Sequence, residues 1–193
     1  MRPFICIAAF LAVICASGSS VEAAQWSEAG GQTSIPYGHL DYCKRNPRDC
    51  KPHKADRPIQ LTNARLALLH DVTKSVNRRI KAVSDQKNYG LRDHWVIPEN
   101  GKGDCEDYVL MKRKLLLARG FSASQLLITL VQGHEPHVVL TVRTNQGDLI
   151  LDNMNDDVRP VEKTRYRYIK MQSPAHSGQW LAITGRAMSI ARN

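Results

Sequence analysis

Cys105 lies in the segment GKGDCEDY, immediately ahead of a long apolar-rich stretch. If that stretch is a helix, the cysteine falls in its first turn. There the unpaired backbone N–H groups and the positive end of the helix dipole favour a thiolate over a thiol. A thiolate is the attacking species in cysteine catalysis, and the same N–H groups can hold a developing oxyanion. Asp104, Glu106 and Asp107 flank the sulfur and oppose its ionisation, so a thiolate there needs a cation beside it, and an imidazolium is the usual one. Without such a partner, a lone cysteine in a helix is simply a small buried hydrophobe.

His137 and Asp152 are the candidate partners. His137 opens the apolar run HVVLTV, and Asp152 ends the run LILD, with the turn-forming TNQG between them. If the hairpin closes with a loop of two or four residues, opposed positions sum to an odd number, as 137 and 152 do. Both side chains then project from one face, directly opposed or one diagonal step apart. A loop of three or five residues without a bulge would send them to opposite faces. With an even loop, a carboxylate can orient an imidazole from the adjacent strand, which is the second half of a Cys-His-Asp triad.

Other elements must hold these residues. Thr62 caps a predicted helix in which Leu66, Leu69, Val72, Val76 and Ile80 recur at helical spacing, fading near residues 85–90. A loop follows to Gly103. The nucleophile helix is expected over residues 104–119 with Gly120 as its stop. Tyr108, Met111, Leu115 and Ala118 form its apolar face, widened by Leu116 and Leu117, while Lys112, Arg113 and Lys114 are expected to face solvent. Strands are expected at residues 126–131, 137–142 and 149–154. A half-exposed strand follows at 164–170, where TRYRYIK alternates charge and ring, and a short apolar segment at 180–183. Helices followed by a strand meander predict an α+β domain with helices packed on an antiparallel sheet.

The 193-residue chain carries 27 Lys+Arg against 18 Asp+Glu, a net charge of +9, with 42% hydrophobic residues. This is globular composition, neither disordered nor collagenous, and no solenoid repeat is present. Met1–Arg2, the apolar run FICIAAFLAVIC and a small-residue stretch ending VEAA make a secretory signal peptide over residues 1–23. The apolar run, about 12 residues, is too short for a bilayer-spanning helix. Cleavage removes Cys6 and Cys15 and leaves Cys43, Cys50 and Cys105. In an oxidising compartment two of the three pair. CKRNPRDC, with Pro47 favouring a turn, points to a Cys43–Cys50 disulfide and leaves Cys105 free. Residues 24–58, rich in Gly, Pro and Ser, are expected to be an irregular N-terminal arm stapled by that bridge, ahead of a catalytic domain over 59–193.

GDCEDY, HVVL and LDN, in this order and spacing, resemble the bacterial transglutaminase-like cysteine proteinases. YGHLDYCKRNPRDC is similar to that family's paired-cysteine segment, and RDHWVIP to its Trp-containing lead-in to the active-site helix. The resemblance covers about residues 35–185. It implies a papain/transglutaminase-like core, a periplasmic location, and a proteinase with Cys105 as nucleophile, His137 as base and Asp152 as orienting carboxylate. The family includes periplasmic proteases that clip large biofilm adhesins. Its implied substrate is therefore a protein, such as a surface adhesin, and its implied regulator an inner-membrane receptor. Those members bind calcium beside the nucleophile through carboxylates of this motif, which assigns Asp104, Glu106 and Asp107 here as calcium ligands. Ca²⁺ prefers oxygen and would neutralise the charges that oppose a thiolate. The same acids can equally be ordinary helix N-terminal residues offsetting the dipole.

Two other classes of function fit the same residues. One is a different thiol-dependent acyl transfer, by a transglutaminase or amidase, which a productive amine acceptor would reveal. The other is a catalytically silent binding module of the same fold. His134 and His137 form an HxxH without the Glu-bearing helix of a zinc protease. His39, His53, His70, His94 and His176 are scattered and expected to be solvated. The Lys and Arg residues are dispersed and no nucleic-acid motif appears, so no nucleic-acid partner is expected. Asn153 either helps orient the site or caps a turn.

Overall fold

A computed structural model describes residues 25–188; the signal peptide expected over residues 1–23 lies outside them. The expected α+β plan holds. Seven strands form one antiparallel sheet: β1 (Gln25–Thr33), β4 (Leu126–Gln132), β5 (Pro136–Thr144), β6 (Gly147–Leu151), β7 (Arg159–Pro160), β8 (Arg167–Ser173) and β9 (His176–Met188). Their spatial order is β1-β9-β8-β4-β5-β6-β7. The helices are α1 (Tyr37–Arg45), α2 (Asn63–Arg79), the single turn α3 (Asp85–Asn88) and α4 (Cys105–Leu117), with a short parallel pair of β2 (Lys81–Ala82) and β3 (Lys102–Gly103).

Both faces of the central strands are buried. Val138, Leu140 and Val142 of β5 pack with Leu69, Val72 and Val76 of α2 and with Val109 and Leu116 of α4. On the opposite face Val131, Val139 and Ile150 pack with Val161 and Tyr168. This is why LLITLV has no polar alternation. The sheet also curls, so that β1, next to β9, approaches β6 from the far end of the strand order. The Trp26 indole N–H donates to the Thr144 carbonyl at 2.8 Å, and the Ser27 amide donates to Asp148 Oδ2 at 2.7 Å.

Local signals explain the helix limits. Thr62 Oγ1 accepts from the Arg65 amide at 3.2 Å, as an N-cap should. The last turn of α4 closes through Phe121 N–H to the Leu116 carbonyl at 3.2 Å and Gly120 N–H to the Leu117 carbonyl at 3.1 Å, with Gly120 at φ +86°. That left-handed step is the reason for a glycine there.

Several expectations need correction. The arm at 24–58 is not irregular: it supplies β1, α1 and a 3₁₀ turn, Pro47–Cys50. β1 is an edge strand with one buried residue, Ser27, so it carries no apolar alternation to read. The Cys43–Cys50 disulfide does form, with Cα atoms 5.6 Å apart, and joins α1 to the 3₁₀ turn. α2 stops at Arg79, and the expected strand 149–154 stops at Leu151. The aromatic strand begins only at Arg167, and 180–183 is part of the much longer β9. His39 is not solvated: it is buried, with its ring 5.4 Å from that of Trp180 and 5.2 Å from that of Trp95. His53, His70, His94 and His176 are half-buried.

On α4, Ala118 and Leu117 are exposed, whereas Lys112 and Arg113 are buried. α4 is enclosed on nearly all sides, so basic side chains enter the core. Arg113 donates to the Leu126 carbonyl at 3.1 Å and to Ser177 Oγ at 3.0 Å. The Lys112 ammonium has no hydrogen-bond partner and lies 5.9 Å from the centre of the Tyr108 ring. Burial pushes its pKa down to about 7, against the opposing pull of Asp152 and Asp156. Between that value and the usual 10.5, the unfolded chain holds a proton that the folded chain lacks. The resulting penalty grows as pH falls toward 7 and is constant below it. Lys112→Met should therefore raise Tm at pH 6–7, by roughly 3 °C or more. The gain should shrink toward zero near pH 10 in scanning calorimetry. A gain independent of pH would contradict this account.

Candidate active site

The N-terminus of α4 is set by its first residues. Asp104 is the N-cap residue, with extended backbone, but its side chain does not cap the helix. Instead its Oδ2 accepts from the Asp85 amide at 3.0 Å, which ties α4 to α3. Cys105 is the first helical residue and is partly buried. Its thiol donates to Glu106 Oε2 at 3.2 Å. Burial, then the Glu106 charge and the hydrogen bond to it, push the thiol pKa well above its usual range, while the Val138 amide opposes this by donating to the sulfur. In this arrangement Cys105 is a protonated thiol. The helix end alone does not ionise it, as the flanking acids foretold.

The Val138 contact sets the sulfur against β5 one residue from His137. β5 and β6 join through a two-residue loop, with Thr144 paired to Gly147 and Leu140 to Leu151. The even-loop parity holds, and His137 and Asp152 stand one diagonal step apart on the same face. His137 Nε2 lies 2.8 Å from Asp152 Oδ1. Among the described residues, no hydrogen bond joins the Cys105 sulfur to the His137 ring. Since Nε2 faces Asp152, Nδ1 is the nitrogen left for a thiol.

Asp152 is held from several sides. Its Oδ1 also accepts from the Met154 amide at 3.0 Å, and its Oδ2 accepts from the Tyr166 hydroxyl at 2.6 Å. Its main-chain carbonyl accepts from Asn77 Nδ2 on α2 at 3.0 Å. Burial would raise the Asp152 pKa, but the His137, Tyr166 and Met154 hydrogen bonds outweigh it and leave the pKa below its usual value. The carboxylate is therefore charged, so the His137 nitrogen facing it carries the proton. Burial and the Asp152 bond hold the Tyr166 hydroxyl protonated well beyond its usual range, so it remains a donor. The Tyr166 ring also sits 5.7 Å from the His137 ring. The residue motifs gave no sign of this role for Tyr166; the one signal available was the ring alternation in TRYRYIK. Asn153 Oδ1 is buried and, among the described residues, without a hydrogen-bond partner.

The acids beside the cysteine divide into two groups. Carboxylate oxygens of Asp104 and Glu106, joined by Asp85, lie within 4.8 Å of one another. Asp85 is buried, accepts from the His94 amide through Oδ2, and has an unpartnered Oδ1; Asp104 Oδ1 is likewise buried and unpartnered. Burial and the Asp104 charge raise Glu106 to about 9. Asp107 stands outside this group. Its Oδ1 accepts from the Val96 amide at 2.9 Å, and burial lifts its pKa to about 8. Three converging carboxylates with two orphaned buried oxygens are a hard-cation donor set. Asp85, far back in the sequence, carried no signal of joining it.

The family described as bacterial transglutaminase-like cysteine proteinase matches residues 29–188. Among solved structures, calcium-bound Legionella pneumophila LapG aligns with a TM-score of 0.54 at 23% identity, over 68% of this chain and 76% of that one. A second LapG structure from the same organism gives 0.51 at 25% identity, over 60% and 68%. An EGTA-treated form gives 0.52 at 25%, over 65% and 71%. No curated protein matches the chain.

Removing the Tyr166 hydroxyl should cost the charged form of Asp152 one hydrogen bond. Tyr166→Phe is expected to raise the Asp152 pKa, read by carbon-detected NMR of the side-chain carboxyl. An unmoved titration would show that Tyr166 does not hold the carboxylate.

Proposed function

Because the chain belongs to the bacterial transglutaminase-like cysteine proteinase family, and is thus a cysteine peptidase, we propose that it hydrolyses peptide bonds through Cys105, His137 and Asp152. The observation that carries this reading is the 2.8 Å His137–Asp152 contact, one residue along β5 from the amide that donates to the Cys105 sulfur. His137 Nδ1 takes the thiol proton, and the sulfur attacks the scissile carbonyl. The Cys105 backbone N–H holds the oxyanion of the tetrahedral intermediate. His137 returns the proton to the amide nitrogen, the C–N bond breaks, and a thioester remains. Water then gives its proton to Nδ1 and attacks the thioester; the sulfur leaves and recovers the proton. Throughout, Asp152 keeps Nε2 protonated and the ring oriented, and stabilises the imidazolium.

The acidic group fits a calcium ion, in keeping with the calcium-bound LapG structure. Asp85, Asp104 and Glu106 would hold it. When bound, it supplies positive charge that offsets the carboxylates opposing the thiolate. Asp107 is the weaker ligand of the expected set, since its carboxylate stands outside the converging group of Asp85, Asp104 and Glu106.

The compartment proposed is the periplasm, supported by the leader-like N-terminus and by the disulfide. The substrate proposed is an exported or surface protein of the adhesin class, with an inner-membrane receptor as regulator. Both rest on the family resemblance. Among the described residues no helix is long and apolar enough to cross a membrane.

Cys105→Ser should keep the wild-type melting temperature and lose at least about 10³-fold in kcat, the scale of losing an activated nucleophile. Retained turnover would exclude Cys105 as nucleophile. Alkylation of Cys105 by iodoacetamide should run several-fold faster in Ca²⁺ than in chelator, with Mg²⁺ failing to substitute. Equal rates would remove the ion from the site.

A further inference from the structure

A cleft of about 720 Å³ opens beside the catalytic histidine, with His137 and Tyr166 in its wall. Cys105 does not line it, so the cleft lies on the imidazole side of the reaction centre. Pro136 and Met154 give it an apolar surface, and Met154 is 73% exposed. Arg165 and Arg167 also line it, on either side of Tyr166 in the sequence. Both are exposed, and among the described residues neither guanidinium is in an ion pair. Glu135 is the one acid in the lining besides these bases. Asp152, directly behind the wall, accepts from His137, Met154 and Tyr166, and among the described residues no ion pair joins it to either arginine.

We propose that this cleft receives the part of the substrate C-terminal to the scissile bond, and that Arg165 and Arg167 select a segment in which an apolar side chain is followed by acidic ones. The proposal rests on the Cys105–His137–Asp152 reading for its direction. His137 hands its proton to the leaving nitrogen, so the peptide attached to that nitrogen must cross the imidazole side. An apolar side chain there covers Met154, Pro136 and the Tyr166 ring. The Tyr166 ring is a firm wall, because its hydroxyl is anchored to Asp152 at 2.6 Å. Carboxylates on the following residues then meet two unpaired guanidinium groups, a geometry suited to bidentate pairing. The chain's net charge of +9 draws an acidic segment in the same direction.

The test uses two fluorescent octapeptides that differ only after a central leucine, one continuing Asp-Glu and the other Lys-Lys, with binding to the Cys105→Ala protein read by anisotropy. The acidic probe should bind roughly five- to tenfold more tightly at low salt, with the gap closing as ionic strength rises. Arg165→Gln/Arg167→Gln should abolish the preference, and Arg165→Glu/Arg167→Glu should reverse it, each with unchanged melting temperature. Equal binding of the two probes to the parent protein, or no measurable binding of either, overturns the proposal. Digestion of the same peptides by the wild-type enzyme separates the two levels. Cleavage without preference overturns the cleft selectivity and leaves the proteinase reading standing. A binding preference without any cleavage does the reverse.

Discussion

The Asp152 carboxylate is the point on which the geometry converges. It sits just past the end of β6, buried, yet it is charged because three donors meet it: the His137 ring, the Tyr166 hydroxyl and the Met154 amide. Each comes from a different part of the chain. The β5–β6 register brings His137 within reach, the approach to β8 brings Tyr166, and α2 fixes the main chain through Asn77. A buried charge is tolerable only when paired and hydrogen-bonded. This constraint therefore specifies the alignment of three strands and a helix at once. A one-residue slip of β5 against β6 would turn the imidazole to the other face and leave the carboxylate unpaired.

The start of α4 is organised in the opposite sense. Here carboxyl groups are gathered with, among the described residues, no basic side chain to pair them: Asp85, Asp104 and Glu106 converge, and Asp107 is buried just behind. Burial raises the pKa values of Glu106 and Asp107, and the same surroundings hold the Cys105 thiol protonated. The two halves of the site are complementary: a charged carboxylate prepares the imidazole, while a crowd of acids restrains the sulfur.

Much of this arrangement was legible in the sequence because it depends on local rules. The position of Cys105 follows from helix start signals, and the shared face of His137 and Asp152 follows from strand parity and a short turn. What stayed hidden depends on tertiary contacts between distant segments. Asp85 reaches the acidic group only because Asp104 binds its amide across 19 residues. Tyr166 reaches Asp152 from an irregular stretch ahead of β8, where its neighbours suggested only a half-exposed strand. Lys112 and Arg113 read as a solvent face because charge normally marks one, but the central position of α4 overrides that rule. β1 was unreadable because an edge strand buries too little to pattern its sequence.

The pairing of β1 with β9 has a consequence for how the protein is made. Gln25 is opposite Met188, so the first and last described strands of the chain are neighbours, and this contact has the greatest sequence separation in the sheet. Loop-closure entropy makes such a pairing late and slow to form. The β4–β5–β6 meander, whose partners are close in sequence, can assemble before β1 and β9 meet. The geometry of the proposed base and its carboxylate can thus mature ahead of the sheet that encloses it, and the domain shuts only when β9 closes on β1.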